Sequence, residues 1–364
     1  MAIKKAYALW LNELFYLKVP LRRELSKHFN GAINVFHANR EALLSSQLLT
    51  PMEVEMIMQS KVNSICSPED AYENLLKQSI QFVSIEDSDY PQKLREIIDH
   101  PYGLYYKGTL PPSEHKSASI VGARQCSAYG HSSAREIGYL MARSGYTVIS
   151  GMARGIDAAG QTGCLEAGGF TCAVLGSGVD ICYPPENKKL YDRILENGCI
   201  LSEFAPGTPP LSKHFPMRNR IISGLSDHVI VVEARIRSGS LITAQMACQQ
   251  NRNLLVVPGR INDPMSQGTN HLIEMGAQII PSEERLLEKL SEEAGMPLQL
   301  SPSKKPTLNK NEKSLLQIMD YYAKSAEDLM LLAGFSYREF LETIYTLSQK
   351  GLIRESARMH YSKV

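Results

Sequence analysis

Short apolar runs recur along the middle of this chain, separated by longer stretches with helical periodicity. Seven runs predict strands: Ala118–Val121, Tyr146–Ser150, Phe170–Leu175, Cys199–Glu203, His228–Glu233, Asn253–Val257 and Ala277–Ile280. Runs that are apolar at successive positions, rather than alternating, predict strands buried on both faces. Between them lie helical patterns such as Gly130–Ser144, with Ile137, Leu140 and Met141 on one face. Strands alternating with helices predict an α/β fold, an extended Rossmann-like, doubly wound parallel sheet.

The flanks read differently. Residues 1–78 predict a helical module built from Tyr7–Tyr16, Leu21–Phe29, Ala32–His37, Arg40–Leu44 and Pro51–Ser60, of SAM or helix-hairpin-helix type. Leu17-Lys18-Val19-Pro20 stands where a glycine-centred hairpin would grip a phosphate backbone. The α/β domain, residues 79–293, is entered through the extended, aromatic-rich stretch Tyr102–Gly108. Residues 294–310 carry Pro297, Pro302 and Pro306 and read as a linker. Residues 311–364 give three helices, Asn311–Tyr322, Ala326–Leu332 and Tyr337–Gln349, then a short β-ribbon, which is the winged-helix pattern. The third helix carries Arg338, Glu339 and Glu342, a mixed charge that suits protein contact at least as well as groove reading.

Composition narrows the function. The 364 residues exceed one average domain, and 43% hydrophobic with 21% charged residues is ordinary for a globular chain. A net charge of +1 gives no global basic field, so a polyanion would have to be met locally. Seven scattered cysteines without a C-x-x-C pair fit free thiols in a reducing compartment. The charged N-terminus excludes a signal peptide and no run is long enough to span a membrane, so a cytoplasmic protein without membrane association is expected. No metal spacing and no cofactor fingerprint stands out: G-x-x-x-x-G-K-[ST] is absent, and Gly176-Ser177-Gly178 lacks the third glycine of G-x-G-x-x-G.

The chemistry gathers at strand ends. Three expected strands run into glycine loops, at Gly122-Ala123-Arg124, Gly151-Met152-Ala153-Arg154 and Gly176-Ser177-Gly178, and Ser238-Gly239-Ser240 opens a helix. Glycines let backbone N–H groups approach a phosphate, and helix N-termini favour anions. Before the fifth strand stands a basic, aromatic cluster of Lys213, His214, Phe215, Arg218 and Arg220; Arg235 and Arg237 follow it. Cations beside an aromatic ring suit single-stranded nucleic acid, although Phe215 could equally pack in the core while the arginines hold Glu203 and Glu233. Asp157, Asp180, Glu203 and Glu233 fall at strand ends, and pairing or capping explains them better than acid–base catalysis.

These motifs resemble the DNA processing protein A (DprA, also called Smf) family. The resemblance is carried by G-A-R-x-x-S-x-Y-G (Gly122–Gly130), S-G-x-A-x-G-I-D (Ser150–Asp157), V-L-G-x-G-x-D-x-x-Y-P-x-x-N (Val174–Asn187), F-P-x-R-N-R-I-I-S-G-L-S (Phe215–Ser226) and V-V-E-A-x-x-x-S-G-S-L-I-T-A (Val231–Ala244). It implies a non-enzymatic protein that binds and protects single-stranded DNA in natural transformation, loads the recombinase RecA onto it, and forms homodimers. By resemblance Arg124, Lys213, Phe215, Arg218 and Arg220 form the DNA pocket. With the glycine loops and helix start the candidate interface adds Gly122, Ser127, Gly151, Arg154, Gly176, Asn219, Ser238 and Gly239. Two positions depart from the family pattern: Gln161 stands where histidine is common, and Ala123 where serine or threonine is common. The alternatives are a nucleotide phosphoribohydrolase, although Pro258-Gly259-Arg260-Ile261 lacks that class's second glycine and glutamate, and a winged-helix regulator with an α/β ligand sensor.

Overall fold

The computed structural model describes residues 2–62, 66–294 and 307–363, so most of the expected linker lies outside the described residues. Its centre is a nine-stranded sheet of β1 (Gln81–Ser84), β2 (Gly103–Gly108), β3 (Ser117–Val121), β4 (Thr147–Ser150), β5 (Thr171–Val174), β6 (Gly198–Ser202), β7 (His228–Val231), β8 (Asn253–Val256) and β9 (Gln278–Ile279). The spatial order is β1-β2-β6-β5-β4-β3-β7-β8-β9. All seven expected strands are present, and they run parallel. The sheet as a whole is mixed rather than parallel, because β1 and β2 add antiparallel to β6. In sequence β2 is Gly-Leu-Tyr-Tyr-Lys-Gly, which shows no alternation because its first four residues are buried.

Helices cover both faces. Ala128–Arg143, Ile156–Glu166 and Glu283–Ala294 bury Ile137, Met141, Ile156 and Leu290 against one face with Ile120 and Val148. His214–Gly224, Gly239–Gln249 and Gln267–Glu274 bury Ile221, Ile222, Ala244 and Leu272 against the other with Val121 and Val231. Each fully buried aliphatic side chain contributes about 1.5–3 kcal/mol. The result is an α/β fold.

At the β1 end the sheet shares a hydrophobic core with the N-terminal helices. Leu9, Leu11 and Leu25 pack with Phe82, Tyr102 and Tyr105. Glu86 Oε1 accepts hydrogen bonds from Ser26 Oγ (2.6 Å), Tyr102 OH (2.6 Å) and the Ala32 N–H (2.9 Å), tying helix and strand together. The helices thereby cover one face of the sheet at this end.

The C-terminal unit holds helices Lys310–Ile318, Ala326–Ala333 and Tyr337–Gln349 and a small antiparallel sheet of β10 (Lys324–Ser325), β11 (Ile353–Ala357) and β12 (His360–Lys363), in the order β10-β12-β11. Capping boxes at Asn309/Glu312 and Ser336/Glu339 start two of its helices. Leu315, Leu329, Phe340 and Leu347 fill its separate core.

Candidate nucleic-acid interface

The parallel strands all end on one edge. From β3 the chain adds β4, β5 and β6 on one side, then returns to add β7, β8 and β9 on the other. The loops after β3 and β7 therefore diverge, and an open α/β sheet binds its ligand in such a crevice. Here it is a cleft of about 420 Å3. Gly122 and Arg124 line it from β3, Asp157 from β4, Tyr183 from β5, Phe215, Arg218 and Asn219 from helix His214–Gly224, and Ser238 and Gly239 from the next helix start.

The basic cluster is the first turns of a helix, which the sequence conceals behind Pro216. Proline is harmless there because the first N–H groups of a helix have no intrahelical acceptor. Helical spacing then gives neighbouring cations different surroundings. Lys213, the N-cap, is exposed and has no polar partner among the described residues. Arg218 is only 5% exposed and points under the cleft. Its Nη1 donates to Gly151 O at 2.9 Å and also to Val174 O, while its Nε has no hydrogen-bond partner. Arg220 turns to the far side, where Nη2 donates to Glu203 Oε1 and Oε2 at 2.8 and 2.7 Å and Nε lies 3.3 Å from Asp99. Arg220 does not line the cleft, because that geometry places its charge among carboxylates.

Asp157 completes the buried arrangement. Its carboxylate accepts the Gly151 N–H at 3.1 Å beneath the Arg218 guanidinium. Burial pulls the Arg218 pKa down to about 10, opposed by Asp157, so the guanidinium stays charged at neutral pH. Burial likewise pushes the Asp157 carboxyl up, opposed first by Arg218 and then by backbone N–H groups. Gly151 makes the arrangement possible: a Cβ there would stand 2.1 Å from Arg218 Nη1.

Phe215 is the aromatic centre. Arg124 Cζ lies 5.1 Å from its ring centroid and Arg218 Cζ 6.0 Å. The Tyr183 ring packs 5.6 Å away at 31°, and Gly176 runs so close that a Cβ would come 2.9 Å from the Phe215 ring. Tyr183 is not among the site residues expected from sequence; the signal for it is its place in the Y-P-x-x-N motif. Asn219 Nδ2 reaches Gly239 O at 3.4 Å, bridging two walls.

Other expected residues have structural partners. Ser127 gives its hydroxyl and N–H to Glu233 at 2.5 and 2.8 Å and caps the helix Ala128–Arg143. Arg154 lies in a small neighbouring recess with Gly151 but pairs with Glu186. Asp180 accepts the Gly207 N–H, so each of the four strand-end carboxylates is held by a donor. Gln161 is fully buried away from the cleft, donating to Thr171 Oγ1 at 3.0 Å.

Fold and site together define an α/β protein with a cationic, aromatic cleft at its topological switch point. The chain belongs to the DNA recombination-mediator protein A family, whose model matches residues 81–291. DNA processing protein DprA of Streptococcus pneumoniae is 42% identical over 219 residues, 60% of this chain and 77% of that protein. Protein Smf of Synechocystis is 37% identical over 291 residues, 79% of this chain and 73% of that protein. The X-ray structure of DNA processing protein A from Streptococcus pneumoniae superposes with a TM-score of 0.67 at 35% identity, covering 78% of this chain and 97% of that one. DNA processing protein A from Helicobacter pylori, described with its single-stranded DNA binding mode, gives a TM-score of 0.54 at 31% identity, covering 58% of this chain and 97% of that one.

Proposed function

We propose that the cleft binds single-stranded DNA without regard to base sequence. One observation carries this reading: a partly exposed ring, Phe215, has the guanidinium carbons of Arg124 and of the buried Arg218, whose Nε lacks a partner, 5.1 and 6.0 Å from its centroid. Guanidinium groups meet phosphates and a ring stacks on any base, a combination that favours single strands over duplex. The N–H groups after Ser238 add donors for an anion. The Helicobacter pylori relative's single-stranded DNA binding mode supports the same ligand. Arg124, Lys213 and Arg218 are three cations, so an oligonucleotide that spans only the cleft should give a log–log salt slope of about −2. Salt-insensitive binding, or equal affinity for duplex and single strand, would remove this reading.

The family membership supports a wider role. Such a protein would protect single strands taken up in natural transformation and load RecA recombinase onto them in the cytoplasm. The family's recombination-mediator description supports this step. RecA filament assembly on strands precoated with single-strand-binding protein tests it, and no acceleration would count against it. The helical front reads as a SAM-type module and the C-terminal unit as a winged helix. Homodimerisation is supported by β9, an edge strand beside exposed Met275 and Ile279, next to an apolar groove of about 510 Å3. Light scattering on Ile279→Lys should then report a monomer, and a wild type already monomeric at micromolar concentration would refute it.

A further inference from the structure

We propose that a bound strand leaves the cleft across Arg237 and Arg235 and ends against Tyr322, so that the C-terminal unit lengthens the nucleic-acid path. The inference rests on single-stranded nucleic acid being the ligand of the cleft.

The sheet order sets the direction. β3, β7 and β8 are adjacent and parallel, so the loops that follow them lie on one edge. Two strand spacings separate the loops after β3 and β8 by about 10 Å. A single strand longer than the cleft can cross that distance. Arg235 and Arg237 leave β7 between the two, both exposed. Neither has a carboxylate partner among the described residues, and Arg235 Nε meets only Met265 Sδ, at 3.2 Å.

Arg260 follows β8, and its Cζ lies 3.8 Å from the centroid of Tyr322 in the C-terminal unit. A guanidinium stacked on a ring fastens the loop after β8 to the C-terminal unit. Tyr322 itself is 47% exposed, leaving aromatic surface for a base. The neighbouring Tyr321 ring packs 5.4 Å from Tyr129, in the first turn of the helix behind the first glycine loop. The unit is thereby held beside the same edge. Two carboxylates accompany the path, and both are engaged: Asp263 accepts the Met265 N–H at 2.9 Å, and Asp320 accepts the Tyr322 N–H at 2.7 Å and pairs with Lys324 at 3.2 Å.

The tyrosine loop, not helix Tyr337–Gln349, is what the unit contributes. The only cation on that helix, Arg338, is paired with Glu342 at 3.0 Å. With Glu339 and Glu342 beside that one arginine, the helix carries a net negative charge, which disfavours its approach to phosphates.

The test compares oligothymidylates of about five and about twenty nucleotides by fluorescence anisotropy across a salt series, using the full chain. Two added arginine contacts should steepen the wild-type salt slope from about −2 with the short strand to about −3.5 with the long one. Arg235→Ala with Arg237→Ala should hold it near −2 for both, so from about 50 to 200 mM salt the wild type loses about sevenfold more affinity for the long strand. Tyr322→Ala should weaken the long strand about fivefold or more and leave the short one unchanged, as one lost stacking contact requires. Arg237→Glu, on an exposed loop, repeats the test if Tyr322→Ala unfolds. Variants that match the wild type in slope and affinity with the long strand overturn the path while leaving the cleft reading intact. A wild type that binds neither strand overturns both.

Discussion

Arg124 and Phe215 meet with the guanidinium carbon 5.1 Å from the ring centroid, although one follows β3 and the other opens a helix beyond β6. The pairing separates two contributions that can be measured apart. Phe215→Ala should weaken single-strand binding by about 1–3 kcal/mol through lost stacking, with the salt slope unchanged. Arg124→Ala should reduce the slope by about 0.7, the value of one phosphate contact. Anisotropy titrations at several salt concentrations read both, and identical slopes for the two variants would contradict the assignment.

Gly151 allows the Arg218 guanidinium to lie against the backbone, since a Cβ at that position would come within 2.1 Å of Nη1. Gly151→Ala must therefore displace Arg218 from Gly151 O and Asp157. Loss of more than tenfold in DNA affinity is expected, with a destabilisation of about 1–3 kcal/mol for the displaced hydrogen bonds of the charged group. Urea unfolding and binding on the same preparation check it; wild-type values for both would show that the guanidinium is not held as described.

Lys213 and Arg220 are both cations of the same helix and should behave oppositely. Arg220→Ala leaves Glu203 unpaired at 12% side-chain exposure and should cost about 3–5 kcal/mol of stability. Lys213→Ala removes an exposed charge, so stability should stay within about 0.5 kcal/mol while single-strand affinity falls. Thermal melts paired with binding isotherms distinguish the two, and a stable Arg220→Ala protein with lost affinity would move Arg220 into the interface.

Asp227 fastens the start of β3 from the opposite edge of the sheet, accepting from Lys93 Nζ at 2.6 Å and the Ser117 N–H at 2.8 Å. Burial by itself would raise its pKa, but the Lys93 and Ser117 donors outweigh it and hold the carboxyl below its ordinary 3.8. A carboxyl depressed in the folded state contributes stability above its unfolded pKa and loses it as pH falls through the folded one. Asp227→Asn should cost about 1.5–3 kcal/mol at pH 7 and show a shallower loss of stability below about pH 4. Parallel acid limbs for variant and wild type would count against it.

Much of the fold is legible in the chain. The runs Ala118–Val121 and His228–Glu233 announce buried strands because no aspartate, glutamate, lysine or arginine interrupts the part that pairs, and the glycine loops mark where strands end. β1 and β2 are not legible as strands. Phe82 of β1 and Tyr105 of β2 are buried by N-terminal helices distant in sequence, so no local periodicity records the burial. Pro216 likewise hides a helix start that only the surrounding packing stabilises.

The sequence by itself determined which chemical groups gather at the strand ends: glycines, arginines and one phenylalanine, in an order that identifies the family. Only the tertiary structure decided what each group faces. Arg218 and Arg220 are two residues apart in one basic cluster, yet one lies under the cleft and the other is held by Glu203 and Asp99. The physical reason is that a helix turns about 200° over two residues, and the acceptors awaiting each side chain come from strands remote in the chain.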